Sequence, residues 1–110
     1  MALREDQVSG IIHGFIARLE QAIPVREVIL FGSYAQGTPR EHSDIDLAVI
    51  SDWFEGKPAI ENLTFLSRIA SRYNTLIEAL PFTQKEYERV DQRSLLSSIV
   101  RTGKKFKTVH

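Results

Sequence analysis

Apolar and polar positions recur along this chain in two periods, and the switches between them divide it into elements. Val8, Ile11, Ile12, Phe15, Leu19, Ala22 and Ile23 follow the i, i+3, i+4, i+7 spacing of one helix face. Ser9-Gly10 weakens that pattern locally, and Pro24 ends it, because the residue before a proline avoids the helical region. The result is a predicted helix that packs one face on a core. Val28 to Phe31 is a short β-rich run and predicts a buried strand ended by Gly32. Ser33 to Gln36 can form one helical turn before Gly37 and Pro39 break it, and residues 37–42 are polar and turn-rich. Asp44 to Ile50 has the length and composition of a second strand.

Ser51 to Pro58 contains Trp53, Phe54, Gly56 and Pro58 and reads as a loop carrying two aromatic side chains. Ile60, Leu63, Leu66, Ile69, Ala70 and Tyr73 mark a second amphipathic helix, with Asn74 at its end. Thr75 to Leu80 reads as a third strand closed by Pro81. Thr83 and Glu86 match a capping pair, in which each side chain bonds the other's backbone N–H, and a short helix through about Val90 is expected after it. Leu95, Leu96, Ile99 and Val100 begin a last helical pattern that Gly103 ends. The basic tail, residues 104–110, is expected to be partly mobile. The order α-β-β-α-β-α-α implies an α+β protein with a small mixed sheet covered by helices.

Length and composition narrow the field. At 110 residues, one domain covering 1–110 is expected, with a single core. Fourteen basic and fourteen acidic side chains cancel, so no broad electrostatic footprint for nucleic acid exists and direct nucleic-acid binding is not expected. Cysteine is absent, which excludes disulfides and cysteine-ligated metal sites. No apolar run approaches the roughly 18 residues of a membrane span, and the N-terminus lacks the apolar core of a secretory signal. The expectation is a soluble, cytoplasmic protein without membrane partners.

The chemistry concentrates in residues 28–50. Alternate side chains of a strand share a face, so Asp44 and Asp46 point the same way while Ile45, Leu47 and Val49 point into the opposite layer. Two carboxylates so placed repel unless a cation lies between them. Magnesium suits them, as a hard ion that takes one or two carboxylates plus phosphate oxygens. Gly32 at a strand end lets a phosphate approach the backbone, and the hydroxyl and N–H groups that follow can bind it. The segment is not a P-loop, since Thr38-Pro39 stands where Lys and Ser/Thr are needed. Standing alone, Asp-x-Asp is also what a turn cap and a solvent-facing carboxylate would give.

The combination is more specific than its parts. A strand, Gly32-Ser33, ten residues (34–43), then Asp44-Ile45-Asp46 opening an apolar strand resembles the signature of the polymerase-β-like nucleotidyltransferase superfamily. Tyr34-Ala35, Gly37 and Ser43 to Leu47 fit the same pattern, and the short chain is similar to the minimal nucleotidyltransferases (MNT), partners of HEPN proteins. The resemblance implies a palm-type fold, with Gly32 and Ser33 holding the β- and γ-phosphates of a nucleotide. It implies that Asp44 and Asp46 ligate magnesium, with two ions able to activate an attacking oxygen and stabilise leaving pyrophosphate. A third carboxylate from a later strand belongs to that pattern, and within Thr75 to Phe82 the candidate is Glu78, where the superfamily ordinarily has Asp. Glu78 shares its face with Leu76 and Leu80, so it needs a polar partner.

By the same resemblance the activity is Mg-dependent transfer of AMP from ATP to a hydroxyl, a tyrosine of a HEPN toxin. That makes the protein an adenylylating antitoxin of a toxin–antitoxin pair. The acceptor is expected on another chain or a partner protomer, in a hetero- or homo-oligomer. Two alternatives stand beside this: a binding module that neutralises its partner sterically, and a small-molecule nucleotidyltransferase of the aminoglycoside kind. Arg40 and His42 could contact phosphate or base, and Tyr34 could stack on a nucleobase or serve packing. His13 falls on the polar helix side, Lys104, Lys105 and Lys107 read as a solvated tail, and Trp53 and Phe54 are expected as an exposed contact surface beside the site.

Overall fold

The computed structural model describes residues 2–89 and 94–108. Helix α1 (Glu5–Ala22) buries Val8, Ile12, Phe15, Ile16 and Leu19. Its first turn carries Glu5 and Asp6, favourable near the helix's positive end, and the backbone N–H of Arg4 donates to Gln7 Oε1 at 2.8 Å. Ile16 joins the buried stripe although the i, i+3, i+4 series omitted it, and Ala22 is exposed because the chain leaves the helix at Ile23.

Strand β1 (Glu27–Phe31) leads into a single helical turn, α2 (Ser33–Gln36), bounded by Gly32 and Gly37, both at φ 75°. Strand β2 (Ile45–Ile50) returns antiparallel to β1, and a 3-10 turn (Asp52–Phe54) follows it. Helix α3 (Ala59–Tyr73) then crosses over to strand β3 (Ile77–Phe82), which lies parallel to β2, as a helical crossover permits. Helices α4 (Gln84–Glu88) and α5 (Leu95–Thr102) and strand β4 (Lys104–Thr108) complete the chain. The sheet order is β3-β2-β1-β4, with two antiparallel pairs and one parallel pair, so the sheet is mixed as expected.

The two faces of the sheet are unequal. Val28, Leu30, Ile45, Leu47, Val49, Ile77 and Ala79 turn toward α1 and α3 and form the main core with Ile12, Phe15, Leu19 and Leu66. The other face carries a smaller cluster, Ile29, Ala48, Ile50 and Ile99, with Phe31, Phe82, Tyr87 and Val100 packed against it. Short helices cover that second face only in part, and the polar groups of interest emerge there.

Three expectations change. Strand β3 runs through Pro81 to Phe82 instead of closing at Pro81. It is an edge strand, where a proline's missing N–H costs no ladder bond on the open side. The basic tail is not loose through Thr108: it forms β4, paired antiparallel with β1. Its lysines, of which Lys104 and Lys105 are exposed as expected, each also have an acidic partner. Lys105 Nζ lies 3.2 Å from the buried carboxylate of Glu27, Lys104 lies 3.8 Å from Glu5, and Lys107 bonds Glu20. Trp53 and Phe54 do not form an exposed surface beside the site. Phe54 is 1% exposed, half-buried Trp53 stacks at 4.6 Å from the Phe65 ring, and both follow Ile50, at the end of β2 away from Asp46. The capping pair Thr83–Glu86 is present in both directions, and α4 ends at Glu88; Val90, Val109 and His110 lie outside the described residues. No helix among the described residues is long and apolar enough to cross a membrane.

Candidate active site

Strand alternation places the carboxylates. Ile45, Leu47 and Val49 are buried in the main core, so Asp46 must face the thinner second layer. Its register partners are Phe31 on β1 and Glu78 on β3. Asp44 precedes the strand, and the N–H of Ile45 donates to the Leu76 carbonyl at 2.7 Å, tying the start of β2 to the approach of β3. Each of Asp44, Asp46 and Glu78 offers a carboxylate oxygen within 4.8 Å of the others. The three acids that the sequence singled out therefore meet, although 31 residues of chain lie between Asp46 and Glu78 and 33 between Asp44 and Glu78. Asp44 and Glu78 are exposed and Asp46 is half-buried.

Gly32 is shaped to this cluster. A Cβ there would stand 2.2 Å from Asp46 Oδ2, and its φ of 75° is a conformation that only glycine adopts freely. The absent side chain lets the turn between β1 and α2 lie directly against the Asp46 carboxylate. Ser33 opens α2 beside it, half-buried, and its carbonyl accepts from Thr38 N at 3.0 Å.

The electrostatics would suit a bound cation. The Asp46 carboxyl is pushed from 3.8 up to about 6, first by burial and then by the charges of Glu78 and Asp44. Burial and like charge both disfavour its ionised form, and a bound cation would reverse both. Three oxygen donors within reach of one another fit a hard divalent ion, for which carboxylates are the preferred protein ligands. Such an ion would also let an anionic triphosphate approach a face that otherwise carries three negative groups.

The remaining candidates go elsewhere. Tyr34 points back to the main core, where its hydroxyl accepts from Leu3 N at 3.2 Å, so its role is packing. Arg40 and His42 are exposed in the turn before Asp44, which is closed by Arg40 N donating to Ser43 Oγ at 2.7 Å. His42 adopts φ 66° and lies 3.6 Å from Glu41. His13, on the exposed side of α1, meets the Phe106 ring edge-on at 5.6 Å. Phe31 was read only as strand core. Its place beside Asp46 follows from a strand register that the 32–44 connection leaves open, so no local signal reveals it.

Comparison with known proteins agrees with this fold. A protein of Sulfolobus solfataricus described as nucleotidyltransferase-like superposes with TM-score 0.62 at 20% identity, over 77% of this chain and 75% of its own. A toxin–antitoxin structure with AMP-PNP matches with TM-score 0.60 and 24% identity over 93% of this chain and 74% of that one. A tyrosine-to-alanine variant of the toxin–antitoxin MntA-HpeT matches with TM-score 0.58 and 26% identity over 99% and 76%. No curated protein sequence matches at a significant level. Residues 12–107 match the family described as nucleotidyltransferase domain, and the chain belongs to that family.

Proposed function

We propose that this protein transfers AMP from ATP to a hydroxyl of a protein partner, a tyrosine of a HEPN toxin, and so acts as the antitoxin of the pair. The observation that carries the reading is the meeting of Asp44, Asp46 and Glu78 against the open Gly32 turn, in a chain of the nucleotidyltransferase family. The similar structures named as toxin–antitoxin complexes, one of them with AMP-PNP, support the class of partner and the adenine nucleotide. The tyrosine itself rests on the sequence resemblance.

In this reading the Gly32-Ser33 turn receives the β- and γ-phosphates through backbone N–H groups and the Ser33 hydroxyl. Asp44 and Asp46 would hold magnesium, with Glu78 completing the carboxylate set. Bound magnesium supplies neutralisation of the triphosphate and of the pyrophosphate that leaves. Glu78 lies on the β3 side of the row, away from the phosphate turn, and takes the acceptor's proton on a carboxylate oxygen. The acceptor oxygen bonds the α-phosphorus as the bond from that phosphorus to its bridging oxygen breaks, and pyrophosphate departs. Chemistry of this kind depends mainly on positioning and charge, which a rigid strand row provides.

The test uses ATP labelled at the α-phosphate, magnesium and a HEPN toxin partner, with the Asp44→Asn/Asp46→Asn variant as control. Wild type is expected to add AMP to the partner, read by intact mass and label, and the variant to lose transfer by at least about a thousandfold. Tight complex formation by both proteins without transfer would overturn the enzymatic reading and leave steric neutralisation.

A further inference from the structure

We infer that Ser43 is the positioning residue of Asp44: its hydroxyl locks the turn that delivers this carboxylate to Asp46 and Glu78. The inference rests on the reading of the three acids as a cation site and adds to it the group that keeps the set assembled.

Asp46 and Asp44 are fixed in different ways. Asp46 lies inside β2, between Phe31 of β1 and Glu78 of β3, so pairing on both sides sets its place. Asp44 stands one residue before the strand and is exposed. Its carboxylate nonetheless offers an oxygen within 4.8 Å of those of the other two acids. After Asp44 the chain is anchored by Ile45, whose N–H donates to the Leu76 carbonyl at 2.7 Å. Before Asp44 the anchor is Ser43.

Ser43 closes the turn twice. Its N–H donates to the Arg40 carbonyl at 3.0 Å, and its Oγ accepts from the Arg40 N–H at 2.7 Å. The second bond belongs to the side chain, and the backbone shows why it is needed. His42, the third residue of the turn, sits at φ 66°, a region that residues other than glycine seldom occupy. Its side chain is 88% exposed, so packing of the ring does not hold it there. A backbone in a sparsely populated region persists only where the bonds around it over-determine it. The Ser43 hydroxyl supplies that constraint, and the direction in which the chain enters Asp44 is what it preserves. Without it, His42 is free to relax toward negative φ, and the start of Asp44 turns with it.

The test is calorimetric titration of Mn2+ into wild type, Ser43→Ala, Ser43→Thr and the double variant His42→Gly/Ser43→Ala, with thermal unfolding recorded for each. Ser43→Ala is expected to bind Mn2+ roughly tenfold more weakly while melting within a few degrees of wild type, since a single bond near the surface is lost. Ser43→Thr keeps the hydroxyl and should bind as wild type does. The double variant should also recover most of the affinity, because glycine holds the left-handed position without help. A hydroxyl that touched the cation itself could not be replaced in this way, so failure of the glycine to restore binding would overturn the positioning role. Unchanged affinity in Ser43→Ala would overturn it as well, leaving the cation site intact. If wild type binds no Mn2+, the cation reading itself fails and this inference falls with it.

Discussion

A methyl group at position 32 would lie 2.2 Å from Asp46 Oδ2 on a backbone at φ 75°, so alanine is strained there on two counts. With ψ at −155° the backbone lies in a region that essentially only glycine occupies, which costs an alanine about 1–3 kcal/mol, a loss a folded domain survives. The clash is with the far end of a side chain, so the Asp46 carboxylate gives way before the fold does. Gly32→Ala is therefore expected to remain folded but unfold about 5–15 °C lower, and to weaken Mn2+ binding roughly tenfold or more in calorimetric titration. A variant that loses stability without losing the cation would show that the turn is not fitted to the site. A second consequence at this scale concerns protons. Asp46 holds its proton up to about pH 6, because burial and two neighbouring carboxylates disfavour its charge. A cation must displace that proton, so affinity is expected to level off above about pH 7 and to fall as pH drops below 6, by up to roughly tenfold per unit. Titrations from pH 5 to 8 check this, and a flat profile would contradict it.

At the scale of elements, β4 shows how a strand can be held without an apolar pattern of its own. Its lysines reach three different acidic side chains, Glu5 and Glu20 on α1 and Glu27 on β1. The Glu27 pair has the largest effect, since that carboxylate is buried and Lys105 stands 3.2 Å away. The proton affinity of Lys105 is raised, chiefly by the close contact with and the charge of Glu27. Removing only the lysine strands a buried charge, so Lys105→Met is expected to cost about 2 kcal/mol in urea denaturation, less than a fully buried pair because Lys105 is half-exposed. The double variant Glu27→Met/Lys105→Met is expected to recover most of that loss; if it is no better than the single one, the pair is not what holds the strand. This element was illegible in the sequence for the same reason. A single Phe among lysines has no period, and the glutamates that organise it lie far away in the chain. Helices α1 and α3 were legible because their cores follow a 3.6-residue period that needs no distant partner. Pro81 misled at the end of β3 because its tolerance depends on being at a sheet edge, which is a property of the assembled sheet.

For the molecule as a whole, the site sets function against stability. Gly32-Ser33 and Asp44-x-Asp46 were legible only in combination, a glycine turn ending one apolar run and two carboxylates two residues apart opening the next, since neither half is distinctive alone. Glu78 was readable only through the resemblance, since its meeting with Asp46 depends on the parallel β2–β3 register. What the fold then does is hold three carboxylates together at a cost to itself. A carboxyl whose proton affinity is raised on folding contributes stability that is complete below its unfolded value of 3.8 and is lost as pH rises through about 6. In the metal-free protein at pH 7 that contribution has gone, and repulsion remains. Asp46→Asn, which keeps shape and removes the charge, is therefore expected to melt a few degrees above wild type at pH 7 without metal, solvent screening at this half-exposed group keeping the gain small. The difference should close as pH is lowered from 7 to 5, where wild type takes up its proton. Added magnesium should raise the melting temperature of wild type and leave the variant unmoved, because a ligand stabilises only the state that binds it. Differential scanning calorimetry over this range, with and without magnesium, decides the matter. A variant less stable than wild type at pH 7 without metal would mean that the three acids are held by structural bonds instead of being kept for a cation.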